Sequence, residues 1–127
     1  MNTQEQIIES VKNTVREFLK GGDTNDPALL EKVLHADYQN VQDGFFGETG
    51  IFTIPKAEYK HLVETKRFGG LPRTVDFVSV EVLGNMAIVM VHLESAVLRF
   101  ISYIVVVQEG GRWFIRNNFP SIVPKAA

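Results

Sequence analysis

Cysteine is absent from the chain. Disulfides, thiol nucleophiles and zinc–thiolate sites are thereby excluded together, and the composition fits a reducing compartment. No apolar run approaches the roughly 18 residues that a membrane span requires, so no membrane partner is expected. Neither sign of charge dominates: 13 Lys and Arg stand against 15 Asp and Glu, scattered along the chain, for a net charge of -2. That balance leaves no electrostatic footprint for nucleic acid. The 3 histidines lie far apart and show neither HxH nor HExxH spacing, so no metal site is expected. No glycine-rich phosphate loop follows a strand, so neither ATP nor NAD is indicated and no cofactor is expected. A GxSxG elbow is also missing, which leaves covalent hydrolysis without support. The opening MNTQEQIIES is polar and acidic, unlike a signal or transit sequence, and the expectation is a cytoplasmic protein.

What is present reads as one domain over residues 1–127. The stretch from Asn85 to Phe119 holds three runs rich in Val, Ile, Phe and Tyr, and Arg73 to Leu83 leads into it with a period of two. Such residues suit a pleated, half-buried surface, and Gly110-Gly111 between two of the runs is a hairpin signal. The C-terminal half is thus expected to be an antiparallel meander. Upstream, Thr3 is a candidate N-cap, and Ile7, Ile8, Val11, Val15, Phe18 and Leu19 form one apolar stripe that Gly21-Gly22 should end. Asp26-Pro27 opens a second, short helix to about Leu34. Tyr38 to Gln42 and Ile51 to Ile54 read as short strands, with a turn at Asp43-Gly44. Pro55 opens a third helix, with Tyr59, Leu62, Val63 and Lys66 on one face and Gly69-Gly70 at its close.

An uninterrupted register across the last hairpin puts Ser102, Ile104, Val106, Ile115, Asn117 and Phe119 on one face of the sheet. Tyr103, Val105, Val107, Phe114, Arg116 and Asn118 fall on the other. Helices with one-sided stripes can cover only one of these faces. The face with Val105, Val107 and Phe114 is therefore expected to meet a second copy of the chain in a two-fold homodimer.

The order helix, helix, strand, strand, helix and four antiparallel strands resembles the nuclear-transport-factor-2-like superfamily. Within it the chain is most similar to the group called putative lumazine-binding proteins, relatives of the SnoaL-like polyketide cyclases and of ketosteroid isomerase. The likeness is carried by VREFLKGG (Val15 to Gly22), Asp26, Leu29-Leu30, LLEKVLHADYQNV, Ala57-Glu58-Tyr59, LGNMAIVMV, Ser102-Tyr103 and GGRWFIRNNF. It implies an α+β, cone-like fold: three N-terminal helices packed on a curved, mostly antiparallel sheet of four to six strands, enclosing a pocket. In the isomerase branch a carboxylate base sits five residues after the acidic residue that ends the second helix. Carried over from Asp37, that position is Gln42, and an amide cannot take a proton from a carbon acid. Asp43 lies one residue on, pointing to the other face unless a bulge intervenes.

Candidate polar groups for the pocket are Tyr38, Gln42, Tyr59, His92, Ser102, Trp113 and Asn117, around walls of Phe18, Val15, Met90 and Ile115. That mixture suits a small, flat, largely apolar ligand with one or two polar edges; each aromatic can equally be a core residue with one satisfied tip. His92 is the candidate acid or base if its face is concave, against a neutral histidine satisfied by one partner. Glu94 is expected to pair with Arg99 across the turn. Three functions remain open. The first is a small-molecule-binding protein, and the second an isomerase or dehydratase with His92 as base and Tyr38 or Tyr103 as hydrogen-bond donor. The third is a dimeric assembly module whose interior is filled by its own side chains.

Overall fold

The computed structural model describes residues 2–125. The elements run α1 (Thr3–Asp23), α2 (Pro27–Val33), β1 (Leu34–Phe45), β2 (Glu48–Pro55), α3 (Lys56–Glu64), β3 (Thr74–Leu83), β4 (Met86–Glu94), β5 (Leu98–Glu109) and β6 (Arg112–Pro124). Six strands form one sheet in the order β2-β1-β6-β5-β4-β3. The meander β3 to β6 is antiparallel, β2 pairs antiparallel with β1, and β1 joins β6 in parallel. Three helices on a mixed sheet make the α+β architecture that the sequence pattern implies.

Local chemistry sets the element ends. Asn2, rather than Thr3, caps α1: its side chain accepts from the Glu5 backbone N–H at 2.8 Å, satisfying one of the free donors of the first turn. Gly21-Gly22 does not stop the helix, which continues to Asp23 with both glycines buried. Their role is close approach, since a Cβ on Gly21 would sit 2.7 Å from Leu30 Cδ2 on α2. Asp26 caps α2 by accepting from Leu29 N at 3.1 Å, with Pro27 at the first helical position. The chain then passes directly into β1, four residues earlier than the Tyr38 start read from the pattern, because Leu34 already pairs with Ile115. The β1–β2 turn lies at Phe46-Gly47, and Gly44 instead occupies a register shift between Asp43 and Phe45 with φ +90. Asn25 Nδ2 donates to the carbonyls of Val63 in the last turn of α3 (2.9 Å) and of Phe68 in the loop beyond it (3.0 Å), fastening the α1–α2 corner to both.

One face of the sheet is covered. Val11, Val15, Phe18 and Leu19 of α1 and Tyr59, Leu62 and Val63 of α3 pack with Ala87, Val89, Val91 and Leu93 of β4 and Ile104, Val106 and Ile115 of β5 and β6. Each Val, Leu, Ile or Phe among them contributes roughly 1.5–3 kcal/mol on burial. The pairing expected for the last hairpin holds from Glu109↔Arg112 to Val106↔Ile115 and then shifts, so that Val105 meets Asn117 and Ile104 meets Asn118. Arg116 is the extra residue of this bulge, and such an insertion bends the strand and inverts the facing of every residue beyond it. Asn118 therefore faces inward where Asn117 was expected, and Phe119 turns outward. The opposite face carries Met86, Ile88, Ile101, Tyr103 and Phe119 in the open. No helix among the described residues is long and apolar enough to cross a membrane.

Candidate functional site

Alternation along β1 turns Tyr38, Asn40 and Gln42 toward the helices, and the bulge in β6 brings Asn118 beside Asn40. Three carboxamides then join head to tail. Asn118 Nδ2 donates to Asn40 Oδ1 at 3.0 Å, Asn40 Nδ2 to Gln42 Oε1 at 2.7 Å, and Gln42 Nε2 to the Gly44 carbonyl at 3.0 Å. This row lies at one side of a cavity of about 530 Å³, within the usual range for small-molecule sites. Apolar walls come from Phe18, Val63, Leu93, Phe100 and Ile104, with Ser102 and Tyr59 adding hydroxyls.

The mouth is aromatic and charged. Phe45, Phe46 and Phe68 meet there, with ring centroids 4.5 Å (Phe45–Phe46) and 5.6 Å (Phe46–Phe68) apart. The Arg67 guanidinium stacks 4.3 Å over Phe46, an arrangement favoured by the ring quadrupole. Arg73 is held by Asp23, Nε to Oδ1 at 2.6 Å, and lies 5.0 Å over Phe100. The carboxylates on the lining, Asp43 and Glu48, are exposed. Apart from Arg73, whose charge is met by Asp23, the buried polar groups of the lining are neutral.

Behind the cavity wall Tyr38 meets the lining residue Tyr59 edge to face, with ring centroids 5.2 Å apart, and the Phe18 ring lies 6.0 Å from each. Burial, and secondarily the neighbouring Tyr59, hold the Tyr38 hydroxyl well above the ordinary tyrosine range. Tyr59 is also raised, again by burial first, with Arg73 opposing. Both are neutral at physiological pH. The Tyr38 hydroxyl and Asn118 Oδ1 are buried without a partner at hydrogen-bond geometry.

Of the residues expected from the sequence to line a pocket, Gln42, Tyr59, Ser102 and the wall residue Phe18 do so. Tyr38 lies below the surface in the core, 1% exposed. Met90 and His92 are on the outer face of β4, opposite Tyr103 and Ile101. Because Ala87, Val89, Val91 and Leu93 take the inner face, His92 is exposed beside Asp76, Glu94 and Arg99 in a shallow surface depression. It therefore cannot be the base of the cavity. Trp113 packs against the core near the β5–β6 turn, and Asn117 faces outward next to Gln39. Val15 and Ile115 belong to the core and not to the cavity wall. Arg99 pairs with Glu94 at 3.1 Å as expected. No group of His, Cys, Asp and Glu suited to a metal ion occurs among the described residues. Asn40, Asn118, Phe45, Phe46, Phe68, Arg67, Arg73 and Phe100 were not singled out from the sequence. The run of aromatic residues around Asp43-Gly44 was the one visible sign of the mouth.

Chemically the site can enclose an apolar body and meet its polar edge with amides and hydroxyls. A buried general base is missing from the lining.

The family model described as putative lumazine-binding matches residues 6–119. No curated protein matches by sequence. Among solved structures, an NTF-2-like protein of unknown function from Silicibacter pomeroyi is similar, with 21% identity, TM-score 0.80, and coverage of 97% of this chain and 100% of that one. An NTF2-like protein of unknown function from Shewanella baltica has 12% identity, TM-score 0.83 and coverage of 98% and 100%. A ketosteroid isomerase-like protein from Erwinia carotovora atroseptica has 11% identity, TM-score 0.76 and coverage of 97% and 98%.

Proposed function

The chain belongs to the putative lumazine-binding family of the nuclear-transport-factor-2-like superfamily, and on that premise we propose that it is a small-molecule-binding protein rather than an enzyme. Its ligand is flat, mostly apolar and neutral where it is buried. The observation that carries this reading is the cavity itself: about 530 Å³, aromatic-walled, with Gln42 and its amide partners Asn40 and Asn118 as the buried polar edge. Amides at that edge bind but do not abstract protons. An open interior of this size also weighs against an assembly module packed with its own side chains.

The test fills the cavity from its own wall. Ser102 is buried and faces the interior, so Ser102→Phe places a ring where ligand would lie. A flat bicyclic probe, 2-quinolinone, should bind saturably at one site per chain, and the variant should weaken that binding at least about tenfold. The thermal midpoint should move by only a few degrees, because the ring enters empty space. Unchanged saturable binding in Ser102→Phe, or no binding of either 2-quinolinone or its lactone counterpart coumarin to the parent protein at millimolar concentration, would overturn the reading.

We further propose that a second copy of the chain covers the outer sheet face. Cross-strand pairs make the exposed Met86, Ile88, Ile101, Tyr103 and Phe119 continuous with the half-buried Val105, Val107 and Phe114. Such a patch on one protein is self-complementary about a two-fold axis.

A further inference from the structure

We propose that Gln42 is the specificity-determining residue of the cavity, and that it selects a ligand presenting a neutral N–H beside a carbonyl, the edge of a lactam or carboxamide. The proposal rests on the binding reading above and extends it to the edge of the molecule that is read.

A carboxamide side chain is ordinarily free to turn end for end, which would present donor and acceptor interchangeably. Here it is not. The Gly44 carbonyl can only accept, so Gln42 must offer Nε2 to it and keep Oε1 for Asn40. The same constraint passes along the row: Asn40 donates forward and must accept from Asn118. One backbone carbonyl therefore fixes the sense of all three amides.

Among the three, Gln42 is the one with substantial surface in the cavity, since Asn40 is 1% and Asn118 7% exposed. After its two internal bonds Gln42 retains one Nε2–H and one Oε1 lone pair, in fixed positions on the same planar group. That pair is complementary to an adjacent N–H and C=O on a flat molecule. A carboxylate at the same place would face Oε1 without a cation, because Arg73 is engaged by Asp23 and Arg67 stacks at the mouth. An alkylammonium would find no carboxylate there. Buried charge of either sign is thus disfavoured.

The test compares two molecules of one shape. 2-Quinolinone and coumarin differ in a ring N–H against a ring oxygen and share the carbonyl. Affinities for the full chain are measured by NMR titration. The lactam should bind roughly five- to tenfold more tightly, the yield of one net hydrogen bond. In Gln42→Met, which keeps the length of the side chain without its amide, the ratio should fall to near one, while continued binding of coumarin reports an intact cavity. Equal affinity of the two probes for the parent protein would overturn the inference and leave the binding reading standing. Retention of the ratio in Gln42→Met would also overturn it. Failure of both probes at millimolar concentration would instead overturn the binding reading, and this inference with it.

Discussion

Tyr38 carries a hydroxyl that folding removes from water without giving it a partner at hydrogen-bond geometry. Its proton is held far more firmly in the folded chain than in the unfolded one, first because burial penalises the phenolate and then because Tyr59 adjoins it. An acid whose folded pKa is raised contributes stability that is fully present below the unfolded value, about 10, and is lost as pH rises toward the folded value. Stability should therefore decline above about pH 10 by up to ~1.4 kcal/mol per pH unit for each such tyrosine, with Tyr59, raised in the same direction, adding to the slope. Tyr38→Phe removes one contributor and one unsatisfied buried group, so its stability at pH 7 should stay within about 1 kcal/mol of the parent or exceed it. Urea unfolding at pH 7 and at pH 10.5 measures both effects. A loss above about 2 kcal/mol at pH 7 would show that the hydroxyl is satisfied after all, and an unchanged alkaline slope would show that burial does not hold its proton.

Between elements, the tightest joint is where the loop after α3 crosses the end of α1. Gly70 N donates to the Gly22 carbonyl at 3.0 Å, and a Cβ on Gly69 would lie 2.0 Å from that same oxygen, at φ +74. Gly47, at the β1–β2 turn, has φ +86 but open space around it. Alanine at Gly47 should cost only its backbone strain, about 1 kcal/mol. At Gly69 the same strain is compounded by a backbone clash that no side-chain rotation relieves, and the loss should be at least ~2 kcal/mol larger; denaturant midpoints of the two variants decide it. This comparison also marks how far periodicity and composition could carry the fold. The strands of the meander were legible because β-branched and aromatic runs alternate, and the helices because their stripes are one-sided. Gly69-Gly70 read as the close of the third helix, whereas α3 already ends at Glu64; the pair makes a contact that the sequence hid, since the oxygen it must clear belongs to a residue far away in sequence. Gly21-Gly22 read as a stop although close packing on Leu30 was its purpose. In β4 both sets of alternating residues are apolar, so polarity could not say whether His92 faced in or out. The bulge at Arg116 has no compositional sign, yet it exchanges Asn117 for Asn118 and so decides which asparagine joins the amide row. Gln42, Tyr59 and Ser102 were found at the cavity because no irregularity separates them from the pattern that placed them.

At the scale of the whole molecule, the helices and the bent sheet account for one face, and the other remains apolar in the isolated chain. Tyr103 sits near the middle of it, between Met90 on β4 and Phe119 on β6, and is 49% exposed. Charged residues of this face lie at its ends and on its β3 edge, where Glu94 meets Arg99 and Lys125, Glu109 faces Arg112, and Glu81 faces Ile88, which leaves the uncharged Ile101, Tyr103, Val105 and Phe119 at its centre. A two-fold related copy meets the same apolar row and needs no other complement. Sedimentation equilibrium at micromolar concentration should therefore give a dimer. Tyr103→Glu should weaken it about a hundredfold, because symmetry buries two unpaired carboxylates, each costing at least ~1.4 kcal/mol. The monomer that results should keep its fold and its cavity, since position 103 points away from both. A parent chain that sediments as a monomer at that concentration, or a Tyr103→Glu dimer of undiminished affinity, would mean that this face is not where the molecule meets its copy.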